Sequence, residues 1–355
     1  MDYIEIQGYK SIKAQRIDLK NINILIGANG SGKSNFLLFF EFLKNLYQQN
    51  LQEYVALRGG LNKFLHHGQK VTDKIYFKVE FENGLNGYAA TLKAGDDGFV
   101  VTGEKLFYQR DTGKDISNSC KEASLKTVDN YRAIYIIKYL EGFRKYHFHD
   151  TGAQSPFSKM SNCKNDIYYL YEKGENLAAF LYNIRQQNPV IYHRIVKTVQ
   201  SVAPYFSDFF LEPNANDYIS LQWKDKYNDI VYGINDLSDG TIRFIALTTL
   251  FMQPNLPQTI IIDEPELGLH PAAIIKLAGM IQSSAAKNSQ VILATQSTDL
   301  ISHFQPEDII TADREKGETV LKRLNSEELS IWLEDYAIDD LWKKGIIATG
   351  QPNYK

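Results

Sequence analysis

The sequence predicts an α/β fold with a mixed central sheet, an antiparallel β subdomain and a small helical insertion. Two short runs, QTIIIDE (258–264) and QVILATQS (290–297), are apolar along most of their length, as is typical of parallel strands buried on both faces. KIYFKVEFENG (74–84) alternates apolar and polar residues, and similar stretches follow after turns, which indicates an antiparallel meander. GENLAAFLYNIRQQ (174–187) and NPVIYHRIVKTVQSV (188–202) have the periodicity of two short helices.

These patterns divide the chain into four predicted segments. Residues 1–154 form an N-terminal lobe with the meander, and residues 155–211 form the helical insertion. Residues 212–325 form a C-terminal lobe that contains the continuous apolar strands, and residues 326–355 form a helical tail. The tail is amphipathic, and Ser326 with the glutamates behind it resembles a capping box at a helix start.

The composition limits the kinds of partner that the chain can have. It contains 39 basic and 42 acidic residues, a net charge of −3, which gives no overall support for nucleic-acid binding. No apolar run approaches the roughly 18–20 residues that a membrane span needs. The N-terminal stretch MDYIEIQGYKSIKAQ lacks the apolar core of a signal peptide. We therefore expect a soluble, cytoplasmic protein that does not associate with a membrane.

The segment GANGSGKS, from Gly27 to Ser34, matches the phosphate-binding pattern G-x-x-x-x-G-K-[ST] in full. It follows an apolar strand and precedes a helix, which is the context that this motif requires. Lys33 would supply positive charge to the β- and γ-phosphates of ATP, and Ser34 would offer a hydroxyl to Mg²⁺. The predicted nucleotide-binding residues are Asn29, Gly30, Ser31, Gly32, Lys33, Ser34 and Asn35.

The segment IIIDEPELGLHP (260–271) is a buried strand that ends in two carboxylates. Successive side chains of a strand point to opposite faces, so Asp263 and Glu264 cannot perform the same task. Asp263 is the candidate Mg²⁺ ligand together with Ser34, and Glu264 is the candidate catalytic residue beside the attacking water. A solvated acidic strand end is the alternative interpretation.

The segment LSDGT (237–241) opens the apolar helix IRFIALTTLF. A serine side chain and the N–H groups at a helix start together favour an anion, here the γ-phosphate of a nucleotide. The candidate contacts are Ser238, Asp239 and Gly240, and the alternative is an ordinary helix cap.

The order of these three motifs resembles that of the ABC-type ATPase superfamily. More narrowly, the chain is similar to the compact, arm-less prokaryotic ATPases related to RecF, the SMC proteins and OLD-like proteins. IEIQGYKSIKAQRIDL and NINILIGANGSGKSN resemble the start of those proteins, and EPELGLHP and LSDGT resemble their later motifs. The resemblance covers about residues 1–40 and 230–312 and implies a P-loop ABC-type ATPase fold.

The resemblance implies that two subunits pair head to tail around two ATP molecules. Ser238 and Gly240 of one subunit would then contact the γ-phosphate that Lys33 of the other subunit holds. A two-fold homodimer makes this contact twice with one surface.

The resemblance also implies the remaining site residues. Gln296, in ILATQSTDL, lies at the switch position where many members carry histidine. Glutamine can bond a γ-phosphate or water but cannot change its charge near pH 7, so we expect slow turnover. Lys10 lies where relatives carry a basic residue near the nucleotide, and Gln154 is a candidate for the Q-loop. His270 lies in the segment GLHP, which resembles the D-loop of the family, and a structural turn is an equal alternative.

The segment YHFHDT (146–151) places His147 and His149 on one side of a predicted strand. With Asp150 they could bind a metal ion, and the alternative is a structural or coupling segment beside the nucleotide.

The expected function is hydrolysis of ATP by a dimer that controls an effector or nucleic-acid-directed partner, in prokaryotic anti-phage defence or DNA repair. Relatives of this kind imply a separate effector such as a Toprim-type nuclease, with DNA as a further candidate partner. The tail with Trp332 and Trp342 either docks that partner or packs on its own domain. One alternative is a non-hydrolysing, nucleotide-gated scaffold, which Gln296 permits. The other is the ATPase subunit of a transporter, against which the RecF-like N-terminus argues.

Overall fold

The computed structural model describes residues 1–116 and 119–347. They form two compact units, one of residues 1–143 with the chain from Ile292 onward, the other of residues 144–291. The described residues form helices and several sheets, one of them mixed, so the predicted fold class is confirmed. No helix of this described part is both long and apolar enough to cross a membrane.

The strands, in chain order, are β1 (Tyr3–Tyr9), β2 (Ile12–Asp18), β3 (Ile22–Ile26), β4 (Lys74–Phe81), β5 (Asn86–Ala94), β6 (Phe99–Tyr108), β7 (Lys114–Asp115), β8 (Phe143–Tyr146), β9 (Ser161–Asn162), β10 (Phe206–Phe210), β11 (Tyr218–Ile219), β12 (Gln222–Asp225), β13 (Val231–Gly233), β14 (Thr259–Asp263), β15 (Gln290–Ala294), β16 (Ile309–Glu315) and β17 (Glu318–Arg323). The α-helices are α1 (Lys33–Tyr47), α2 (Leu51–Leu57), α3 (Tyr131–Glu141), α4 (Leu177–Gln187), α5 (Pro189–Gln200), α6 (Asp239–Met252), α7 (Pro271–Ala286), α8 (Thr298–Ile301), α9 (Ser326–Leu333) and α10 (Ile338–Lys343).

The first unit contains the predicted antiparallel meander. Its sheet has the strand order β2-β1-β4-β5-β6-β7. The alternating residues of β4 lie in the core as the pattern predicts, since Ile75, Phe77, Val79 and Phe81 are all buried. One buried and one half-exposed face is what period-two patterning specifies in an antiparallel sheet.

A mixed sheet in the same unit carries the phosphate-loop region. β16 pairs in parallel with β3, with Ile309 opposite Ile24, and antiparallel with β17. α1 follows β3 and is buried along most of its length, with Phe39 packed edge-on against Tyr9 at 5.0 Å between ring centroids. The apolar sequence of α1 therefore anchors the helix that follows the loop.

The second unit contains the two predicted short helices of the insertion and the later motifs. α4 and α5 are joined at Asn188, and Pro189 occupies the first turn of α5, a position where proline costs no hydrogen bond. α6 is buried from Ile242 to Phe251, so it is a core helix. β14 ends at Asp263 and leads through a turn into α7.

The start of the tail differs from the prediction. The side chain of Asn325, not Ser326, caps α9 by accepting from the N–H of Glu327 at 3.0 Å. The Ser326 hydroxyl is unavailable for capping because it donates to the carboxylate of Glu307. Trp342 is buried, whereas Trp332 is 45% exposed. The end of the predicted tail, residues 348–355, lies outside the described residues.

Candidate nucleotide-binding site

The phosphate loop joins β3 to α1 in the first unit. Lys33 is its first helical residue and is buried, and its Nζ donates to the carbonyls of Gly27 at 2.6 Å and Ala28 at 3.1 Å. These bonds keep the positive charge within the loop, where the phosphates of a nucleotide are expected.

Gly32 shows why this loop needs glycine. Its φ is +111°, and a Cβ there would collide with the side chain of Thr319 on β17. The Thr319 hydroxyl donates to the carbonyl of Ser31 at 2.9 Å and lies 2.7 Å from Ser11 Oγ. Asn35 Nδ2 also donates to Ser11 Oγ at 2.7 Å. Thr319 thus supports the loop from a distant strand, a role that the sequence does not reveal.

A basic cleft of about 790 Å³ lies beside the loop within the first unit. Asn35 lines it, and Arg314 lines it while donating to the carbonyl of Gly30 at 3.4 Å. Lys10 lines it too, with its Nζ donating to the Lys63 carbonyl at 3.2 Å. Burial, reinforced by nearby cations, lowers the pKa of Lys10. The basic residues that line the cleft are Lys10, Lys63, His67, Lys70 and Arg314. Such a lining suits an anionic, hydrogen-bonding ligand.

The two candidate carboxylates lie at the end of β14 in the second unit. Asp263 is the last strand residue, and Glu264 follows with a φ of +42°. A non-glycine residue in this left-handed region costs roughly 1–2 kcal/mol, and such strain collects at functional sites. His149 Nε2 lies 2.9 Å from the Asp263 carbonyl and so positions the backbone of this turn.

The YHFHDT segment therefore contacts the carboxylate end of β14 inside the second unit. The rings of His147 and His149 lie 4.4 Å apart, and burial, with His149 as the next cause, lowers the pKa of His147. In the parts of the chain that the structure describes, no three His, Cys, Asp or Glu side chains are grouped to hold a metal ion. The contact of His149 with the Asp263 carbonyl is one that a structural segment at this strand end would make.

The LSDGT segment forms the start of α6. Ser238 is the N-cap, and its Oγ accepts from the N–H of Thr241 at 3.3 Å. Ser238 and Asp239 are exposed, so they are accessible to another molecule. A Cβ on Gly240 would collide with the carbonyl of Gly268, so α6 begins against the turn after β14.

Arg243, one turn into α6, lies outside the residues that the sequence motifs predict for the site. Its side chain is buried and donates to the carbonyls of Phe148 at 3.0 Å and His149 at 3.2 Å, and to that of Leu267. Burial lowers the pKa of Arg243, and Asp239 opposes that shift. A charged residue inside the apolar run IRFIALTTLF is the sequence signal that could have found it.

The other candidates occupy separate places. His270 caps α7, with its Nδ1 accepting from the N–H of Ala272 at 3.2 Å. Gln296 follows β15 and is exposed, and Gln154 is exposed in a turn of the second unit. Within the first unit the structure brings together Lys10 and the loop residues. Within the second it brings together the end of β14, the 147–149 segment and the start of α6.

Comparisons with known proteins show the family and the fold of the chain. A family model described as "AAA domain, putative AbiEii toxin, Type IV TA system" matches residues 22–302. Among solved structures, an SMC head bound to the C-winged helix domain of ScpA is similar at 18% identity and a TM-score of 0.57, covering 93% of this chain and 99% of that one. The Smc head domain with an extended coiled coil from Pyrococcus furiosus is similar at 17% identity and a TM-score of 0.52, covering 94% and 98%. No curated protein matches the chain.

Proposed function

The chain belongs to this AAA-domain family, and from that premise we propose that it binds ATP with Mg²⁺ and hydrolyses it slowly to ADP and phosphate. The observation that carries the proposal is the complete phosphate loop between β3 and a buried α1, with Lys33 held on the loop carbonyls. A strand before the loop, a lysine in it and a helix start after it are the structural context that supports a phosphate-binding loop over a chance glycine-rich turn.

The residues present suit ATP and Mg²⁺. A serine hydroxyl and an aspartate carboxylate are hard oxygen ligands of the kind that Mg²⁺ prefers, which supports Ser34 and Asp263 as its ligands. Bound Mg²⁺ would neutralise charge on the phosphates. Lys33 would bind the β- and γ-phosphates, Glu264 would orient and deprotonate the water, and Gln296 would hydrogen-bond the γ-phosphate or the water.

The basic cleft offers space for the rest of the nucleotide. Because Asn35 of the loop helix lines it, a nucleotide whose phosphates occupy the loop can extend its ribose or base into the cleft. Lys10 and Arg314, which line the cleft, would then supply positive charge near the anionic ligand.

We further propose that ATP brings two chains together. The exposed Ser238 and Asp239 at the start of α6 support a contact with the ATP held by the partner chain. A helix start with accessible N–H donors favours a γ-phosphate. Such a dimer is isologous and contains two equivalent sites.

For the biological role, we propose a cytoplasmic switch that controls a separate effector, such as a Toprim-type nuclease or a DNA-directed protein, in anti-phage defence or DNA repair. A similar fold, the SMC head, has been solved bound to a domain of ScpA, so such a fold can present a surface to a second protein. α9 supports docking at the tail because Ile331 and Trp332 are exposed on it.

Lys33→Ala tests the proposal. The variant loses the charge that contacts the phosphates, and we expect Mg²⁺-ATP affinity to fall by at least about tenfold in equilibrium binding with a fluorescent ATP analogue. Lys105→Ala is the matched control, since Lys105 is exposed on β6. Wild-type affinity in a folded Lys33→Ala protein would contradict a phosphate loop. Tight binding by the wild type without phosphate release would instead favour the nucleotide-gated scaffold that Gln296 permits.

A further inference from the structure

Arg243 connects three segments of the second unit that are far apart in the sequence. Its exposure is 6%, and its hydrogen-bond acceptors among the described residues are backbone carbonyl oxygens. Nε donates to Phe148, one terminal nitrogen to His149 and the other to Leu267. One side chain of α6 thus binds both the 147–149 segment and the turn after β14.

Both of these segments lead to the carboxylate end of β14. His149, whose carbonyl accepts from Arg243, bonds the Asp263 carbonyl through its ring at 2.9 Å. Leu267 belongs to the turn whose next residue, Gly268, lies against Gly240 at the start of α6. The Arg243 guanidinium is therefore the point where the helix start and the strand end meet.

The chemistry of this contact depends on arginine. A planar guanidinium presents several N–H donors in a rigid fork, which lets one side chain satisfy three carbonyls in different directions. A lysine ammonium keeps the charge but is a compact point donor on a flexible stem. Burying a charge is costly unless it is fully hydrogen-bonded, so this arrangement stays fixed only while all three segments keep their places.

We propose that Arg243 is a positioning residue that makes the LSDGT helix start and the Asp263–Glu264 strand end move as one body. The inference rests on the proposed function, in which Ser238 senses the partner chain's ATP while Glu264 acts on the ATP of its own chain. Arg243 then transmits occupancy of one ATP site to the hydrolytic carboxylate of the other. Cooperativity between the two sites follows from this linkage.

The test compares Arg243→Lys with Arg185→Lys in the full chain. Arg185 is a matched control because its guanidinium also donates to a backbone carbonyl, that of Leu211 at 2.6 Å, away from these segments. We expect Arg243→Lys to keep its nucleotide affinity within about twofold, since the phosphate loop is unchanged. Turnover should fall at least about tenfold, and the Hill coefficient of the ATPase rate against ATP should fall from about 2 to 1. Arg185→Lys should behave as the wild type.

Hydrogen exchange supplies a readout that does not depend on turnover. In Arg243→Lys, amide protection should fall in residues 147–150 and 264–270, and stay unchanged in the phosphate loop. Wild-type turnover and Hill coefficient in Arg243→Lys, with unchanged protection in those segments, would overturn the inference and leave the ATPase proposal standing. A wild-type chain that binds but never hydrolyses ATP would instead contradict the proposed function.

Discussion

Thr319 illustrates how a single side chain shapes the phosphate loop. It comes from β17, nearly 300 residues after the loop, yet its hydroxyl donates to the Ser31 carbonyl and its side chain, with the hydroxyl oxygen nearest, fills the space next to Gly32. Because Thr319 both satisfies a buried carbonyl and leaves no space for a Cβ, the loop needs glycine at position 32. The loop motif is local, but its conformation depends on this distant contact.

Asp313, on β16 next to the loop region, should make the stability of the fold depend on pH. Burial, with Glu315 as the second cause, raises the pKa of Asp313 from 3.8 to about 6, and its Oδ1 is buried without a hydrogen-bond partner among the described residues. Between those pH values the folded chain binds the proton more tightly than the unfolded chain, so this residue's contribution to stability falls as the pH rises. Asp313→Asn, which is neutral at every pH, should therefore unfold at a higher temperature than the wild type above pH 6.

Thermal melts across pH 4 to 8 check this prediction. The gap between Asp313→Asn and the wild type should narrow as the pH falls from 6 toward 4, because Asp313 becomes protonated in the folded chain over that range. Asp73→Asn, at an exposed position, is the control. A gap that is constant with pH would show that the Asp313 carboxyl is not the titrating group.

At the scale of elements, the start of α6 packs closely on the turn after β14. Gly240→Ala would place a Cβ on the carbonyl of Gly268 and should destabilise the fold by about 1–3 kcal/mol, since neither backbone can yield without cost. Gly279→Ala is the matched control in α7, where nothing lies within 4 Å of the added Cβ. There the better helix propensity of alanine should stabilise the protein by up to about 1 kcal/mol.

Urea unfolding of the two variants measures the difference directly. Equal stability of Gly240→Ala and Gly279→Ala would mean that the turn at Gly268 adapts freely. The contact between Gly240 and the Gly268 carbonyl would then not constrain the start of α6. A loss confined to Gly240→Ala would show that the helix start and the turn are packed as one piece, as the Arg243 contacts also require.

At the scale of the whole molecule, the proposed active form is a dimer of two chains held together by ATP. Glu264→Gln keeps the shape of the side chain but removes the base, so ATP should persist and hold the dimer together. Sedimentation of this variant with Mg²⁺-ATP should show a doubling of mass that is absent without nucleotide. A monomer under both conditions would contradict the dimer.

Ser238→Arg, made in the otherwise wild-type chain, separates the roles of the two chains. The added bulk lies at the exposed start of α6, so the single chain should still bind ATP while the pair fails to form and hydrolysis stops. Ser238→Asn, which retains a good helix cap, controls for loss of the cap itself. Normal turnover in Ser238→Arg would show that LSDGT only caps the helix and does not contact the partner chain's ATP.

The local motifs account for most of what the sequence predicts correctly. Three patterns each predict an element from fewer than a dozen residues. They are the alternation of β4, the continuous apolar runs at β14 and β15, and the proline at the start of α5. The fold class and the family follow from these patterns and from the order of the motifs, and both are confirmed. The cap of α9 was predicted wrongly because Glu307, far back in the chain, engages Ser326.

The sequence by itself determined the phosphate loop, the paired carboxylates at the end of β14 and the LSDGT helix start, because each is a short run of chemically distinctive residues. Only the tertiary structure decided which residues support them. Thr319 meets the loop, and His149 and Arg243 meet the end of β14, across separations of roughly 25 to 290 residues. The supporting residues could not be predicted because they donate hydrogen bonds to backbone carbonyls. Every residue offers a carbonyl, and no pattern in the sequence marks the one that a distant side chain will bind.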